Sequence, residues 1–89
     1  MVLTSHDVRR MRDVLGDAGM DCHVRTGDGN AVCLELSCDR DMRWGNARGI
    51  LDTACFLIRE VCSGVGIEFL RGEDDGNELH IALRVYGRD

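Results

Sequence analysis

The sequence predicts an α+β fold: a tandem α-β-β repeat (αββαββ) forming a four-stranded, largely antiparallel sheet with two helices on one face. Three observations predict it. A shift of 47 residues lays the chain on itself without a gap, placing Arg12 on Arg59, Val14 on Val61, Gly19 on Gly66, Asp28-Gly29-Asn30 on Asp75-Gly76-Asn77 and Leu36 on Leu83. Self-similarity at a fixed offset marks a supersecondary unit used more than once. Within each unit, apolar residues recur at helical spacing and then switch to strict alternation. Between the two alternating runs of each unit stands an Asp-Gly turn signal.

The first helix is expected to start at Thr4, whose hydroxyl can cap it while Asp7 reaches back, a capping-box arrangement with Asp in place of Glu. Val8, Met11, Leu15 and Ala18 share one face with Val14 beside them, and Gly19 suits the C-terminal cap. Met20 to Thr26 reads as a strand, with Met20, Cys22 and Val24 on one face and Asp21, His23 and Arg25 on the other. Gly27-Asp28-Gly29 suits a three-residue hairpin loop with Gly29 left-handed. That loop sets His23 directly opposite Cys33. In the return strand, Asn30 to Cys38, the inward residues are Val32, Leu34, Leu36 and Cys38.

Asp39 to Trp44 connects the units, Trp44 closing one end of the core. Asn46 can cap the second helix, expected to run to about Ser63. Its apolar stripe is Ala47, Leu51, Ala54, Ile58, Val61 and Val65, widened by Ile50, Cys55 and Cys62. Phe56 falls outside the stripe, and Gly64 and Gly66 end the helix. The third strand carries Ile67 and Phe69 inward, with Glu68 and Leu70 outward. Asp74-Asp75-Gly76 repeats the first turn. In the fourth strand Leu79, Ile81, Leu83 and Val85 point inward, and His80, Ala82, Arg84 and Tyr86 outward. The chain, residues 1–89, reads as a single domain of two repeats, about 4–38 and 46–86.

Composition narrows the function classes. With 89 residues and 44% hydrophobic content the chain can bury a modest core. All 11 basic residues are arginine, and the net charge of −5 argues against direct nucleic-acid binding through the phosphate backbone. No signal peptide or apolar run of membrane-spanning length is read in the sequence. Five cysteines, an odd number, point to reduced thiols and a cytoplasmic location.

Four groups carry candidate chemistry. His23 beside Cys33 could form an activated thiolate, but no orienting carboxylate accompanies them, so no catalytic residue is assigned and no enzyme is expected. A metal or small ligand held by His23, Cys33 and His80 is the alternative reading. The irregular cysteine spacings favour reduced core cysteine over a metal set, so neither metal nor cofactor is assigned. Arg9, Arg10 and Arg12 are offset by Asp7, Asp13 and Asp17 and read as ordinary helix pairs. Glu73, Asp74, Asp75 and Glu78 concentrate more carboxylate at the second hairpin tip than its turn requires, with Asp28 at the related tip. Phe56 on the polar helix face, and Leu70 and Tyr86 on the open sheet face, add interface candidates.

The leading expectation is therefore a small, acidic, non-enzymatic protein-binding module, a regulator or inhibitor. It would engage a partner with a basic surface through Asp28, Glu73, Asp74, Asp75, Glu78, Leu70 and Tyr86, and form a homodimer through the open face. Compact acidic inhibitors, including phage-encoded blockers of host nucleases, share the size and charge, which is an analogy of class and not of motif.

Overall fold

The computed structural model describes residues 1–39 and 47–88. The elements are α1 (Ser5–Asp17), β1 (Asp21–Thr26), β2 (Ala31–Asp39), α2 (Ala47–Val61), β3 (Val65–Asp74) and β4 (Glu78–Gly87). The expected αββαββ order is present. All three strand pairings are antiparallel, and the sheet order is β1-β2-β4-β3. Trp44 and Asn46 lie outside the described residues.

Each helix forms where the sequence supplies a cap or a stripe. Thr4 accepts from the Asp7 amide (3.1 Å), and Asp7 accepts from the Thr4 amide (2.9 Å), so two otherwise orphaned donors are satisfied at the start of α1. Met11 and Leu15 of α1, and Ile50, Ala54 and Ile58 of α2, are fully buried. They pack on Leu34, Leu36, Leu79, Ile81, Leu83 and Val85, so both helices cover one sheet face, and among the described residues no element covers the other.

Cross-strand register places the core residues of the two central strands opposite one another: Val32 with Val85, Leu34 with Leu83, Leu36 with Ile81 and Cys38 with Leu79. The second unit departs from the first where its helix gives way to strand. α2 stops at Val61, and Val65 and Gly66 belong to β3, not to the helix end. The β1–β2 pair Cys22–Leu36 maps by the 47-residue offset onto the observed pair Phe69–Leu83. One step later the mapping breaks. Ala82 pairs with Arg71 instead of Leu70, because a β-bulge lies between Phe69 and Arg71.

The bulge absorbs a difference in loop length. Gly29 (φ 60°) and Gly76 (φ 92°) both turn through the left-handed region. The first loop nevertheless spans Gly27 to Asn30, whereas Gly76-Asn77 alone separates Asp75 from Glu78, whose carbonyl accepts from the Asp75 amide at 3.1 Å. The expectation that the two turns repeat is corrected accordingly.

Asn30 has a role its turn chemistry did not reveal. Its Oδ1 accepts from the Leu3 amide (2.7 Å), its Nδ2 donates to the Met1 carbonyl (2.5 Å), and its own carbonyl accepts from the Gly87 amide (3.0 Å). Asn30 thus ties the segment before α1, through its side chain, and the end of β4, through its carbonyl, to the start of β2.

Gly66 pairs with Tyr86, and a Cβ at Gly66 would overlap the tyrosine ring. The ring lies across the glycine backbone, and the Arg84 guanidinium stands 4.8 Å from its centroid. Gly66→Val should cost about 1–3 kcal/mol through overpacking. In the Tyr86→Ala background the same change should cost much less. Urea unfolding of the two single variants and the double variant measures that coupling. Gly16→Ala makes a useful contrast: nothing lies within 4 Å of the added carbon, so it should stabilise α1 by about 0.5–1 kcal/mol.

Candidate functional site

The open sheet face is a grid fixed by register. One row reads His23, Glu35, Ala82, Arg71; the next reads Asp21, Ser37, His80, Glu73; and on the other side lie Arg25, Cys33, Arg84, Glu68. Alternation puts these side chains opposite the buried set. At the centre, Ala82 is only 4% exposed although no helix covers it. Its small side chain forms the floor of a hollow of 290 Å³ walled by His23, Glu35, Ser37, Arg71, Glu73 and His80. The sequence named only some of these. Glu35, Ser37 and Arg71 enter through cross-strand pairing, which residue spacing alone did not supply.

His23 pairs with Glu35, not with Cys33, which pairs with Arg25 and Arg84. The first loop is centred one residue later than expected, and this moves each partner two positions along β2 without changing which face a residue occupies. Glu35 forms an ion pair with Arg25. Cys33 borders a neighbouring hollow with Arg25, Thr26, Leu70 and Arg71. The proposed trio is therefore divided, with His23 and His80 sharing one hollow and Cys33 lining another. Burial pushes the Cys22 thiol up to about 11 and raises those of Cys38, Cys55 and Cys62. Burial disfavours the thiolate form at these four cysteines.

The second hairpin tip is exposed throughout from Glu73 to Glu78. Two of its carboxylates hold the turn. Asp74 Oδ1 accepts from the Gly76 amide (2.9 Å), and Asp75 Oδ1 accepts from the amides of Asn77 (2.9 Å) and Glu78 (2.7 Å). Asp75 Oδ2 also lies 3.1 Å from His80 Nε2, and Glu78 Oε2 lies 3.6 Å from the same nitrogen. One ligand atom from each of Asp75, Glu78 and His80 falls within 4.8 Å of the others, which are the described residues best placed to share a metal ion. Backbone donors to the carboxylate, with His80 next, lower the Asp75 pKa to about 2.

Topology enlarges this acidic end and removes one member. Asp39 pairs with Glu78, and Asp21 lies in the same row as His80 and Glu73, so two acids distant in sequence join the tip. Asp28 stands at the opposite end, because β2 and β4 run antiparallel and carry the two tips away from each other. The rest of the open face is mixed in character. Ala82 is recessed between its neighbours, Tyr86 lies over Gly66, and the arginines of the grid are ion-paired in part (Arg84–Glu68, 3.4 Å). Leu70, at the bulge, keeps 43% exposure.

No protein-family model, curated protein or solved structure matches the chain. Among the described residues, no helix is long and apolar enough to cross a membrane.

A pH dependence follows from the turn. The folded Asp75 carboxyl sits below its ordinary value of 3.8, at about 2. Its contribution to stability is therefore complete above the unfolded value and is lost as pH falls through the folded one. Urea midpoints of the parent should decline between about pH 4 and pH 2. Asp75→Asn should be less stable at neutral pH and show a shallower decline over that window.

Proposed function

We propose that the chain is a non-enzymatic protein-binding module, a small regulator or inhibitor, whose acidic end engages a basic partner surface. The observation that carries this reading is the convergence of Asp21, Asp39, Glu73, Asp74, Asp75 and Glu78 at one end of the sheet. Turn formation accounts for Asp74 and Asp75. It does not account for Glu73 or Glu78, which stand exposed at the same tip. A concentrated field of one sign accelerates encounter with an oppositely charged surface, and does so most at low salt. Leu70, on the same face, supplies apolar contact, whereas Tyr86, paired with Ala31, lies at the end of the sheet away from the acids.

Ligand binding in the hollow is the second reading. It draws support from His23 and His80 lining one cavity and from the Asp75–Glu78–His80 cluster at its edge. Cys33 has no part in it.

Glu73→Gln/Glu78→Gln removes two charges while keeping both carboxylates of the turn. The fold should be unchanged or slightly more stable. Used as bait at low ionic strength, the parent chain should retain a basic protein that the variant loses. Association of that protein with the variant should be slower by roughly 3- to 10-fold at low salt, converging with the parent as salt is raised. Equal retention and equal rates at every salt concentration would leave the acidic end as a solvated turn. Zinc titration monitored through the His80 ring protons addresses the second reading, and unmoved resonances would dismiss it.

A further inference from the structure

A second surface, remote from the acidic end in chemistry, lies along the seam between α2 and the edge strand β3. Phe69 was expected inward. Its register does place it on the covered face, opposite Leu83, yet it is 49% exposed. Beside it, Phe56 projects from α2 with 62% exposure. The two rings flank a groove of 590 Å³ whose apolar lining is completed by Leu51, Cys55 and Ile67. Two phenylalanines on one groove form a concentrated apolar surface of the kind that marks an interaction site.

The rim is balanced in charge. It carries Arg48 and Arg59 against Asp52 and Glu60, two charges of each sign, on a chain whose net charge is −5. Arg48 pairs with Asp52 within the helix at 3.1 Å, while Arg59 and Glu60 make no ion pair with another described residue. A basic partner finds its complement at the acidic end and no net attraction here. A second copy of this chain, repelled from the acidic faces, meets a neutral and self-complementary rim at this groove. A two-fold axis crossing α2 between Cys55 and Phe56 would run the two helices antiparallel and set each Asp52 opposite the other chain's Arg59. Isologous contacts of this type reuse one patch on both copies.

We infer that the protein self-associates through the α2–β3 groove, with Phe56 as the reciprocal anchor. This does not depend on the acidic end having a partner, and it places the dimer contact on the covered side's edge instead of the open sheet face.

Sedimentation equilibrium over micromolar to millimolar concentration tests it. The parent should approach twice the 9.9 kDa chain mass. F56E, at an exposed position, should keep its circular dichroism spectrum and dissociate with a constant raised about tenfold or more, as expected when an anchor is lost. Arg59→Glu should weaken the dimer, and Asp52→Arg in the same chain should restore it, a rescue available only if the two positions face each other across copies. Should F56E misfold, this charge-reversal pair decides. A parent that stays at single-chain mass throughout overturns the inference. So does a dimer indifferent to folded F56E, or to both charge variants, or one abolished by Glu73→Gln/Glu78→Gln.

Discussion

Pairing of β2 with β4 is the constraint from which the rest of the structure follows. Four successive inward pairs, Val32–Val85, Leu34–Leu83, Leu36–Ile81 and Cys38–Leu79, stack beneath the helices. Burying each such aliphatic side chain contributes about 1.5–3 kcal/mol. A one-residue slip between these strands would turn a whole set to solvent. The exposed ion pairs of the outer face, worth at most about 1 kcal/mol each, are too weak to choose the register themselves. The polar grid is therefore a consequence of the core. Glu35 lies beside Ala82, and Ser37 beside His80, because Leu34 and Leu36 must meet Leu83 and Ile81.

That hierarchy explains what the sequence disclosed. Features governed by periodicity were legible: element order, the inward strand residues, the capping box at Thr4 and Asp7, and the left-handed glycines of both turns. Features governed by one-residue differences in loop length were not. Centring the first loop on Asp28 paired His23 with Cys33, while the actual loop pairs it with Glu35. The gapless repeat concealed the bulge, because Leu70 remains aligned with His23 in sequence while Arg71 takes the position opposite Ala82. Gly66 aligned with the helix-ending Gly19, yet its structural purpose is to admit the Tyr86 ring. Phe69 alternated correctly and still emerged half-exposed, since alternation specifies a face but not whether a helix reaches it.

The same distinction applies to the candidate site. Clustering of Glu73 to Glu78 is local and was visible as a charge run. The approach of Asp21 and Asp39 is a product of topology, as is the removal of Asp28 to the far end of the sheet. The two surfaces that emerge differ in physics. One is a one-signed polar end suited to fast, salt-sensitive encounter. The other is an apolar groove with a balanced rim, suited to a contact stabilised by desolvation and little affected by salt. The proposed self-association and the proposed recognition of a basic partner would use different residues.

The open face is set by which residues stand opposite one another, and interstrand nuclear Overhauser effects between backbone protons measure that directly. The account predicts contacts linking His23 to Glu35, Glu35 to Ala82, and Ala82 to Arg71 across all four strands. Contacts linking His23 to Cys33, or Ala82 to Leu70 without a bulge, would contradict it and dissolve the hollow and its ring of polar groups.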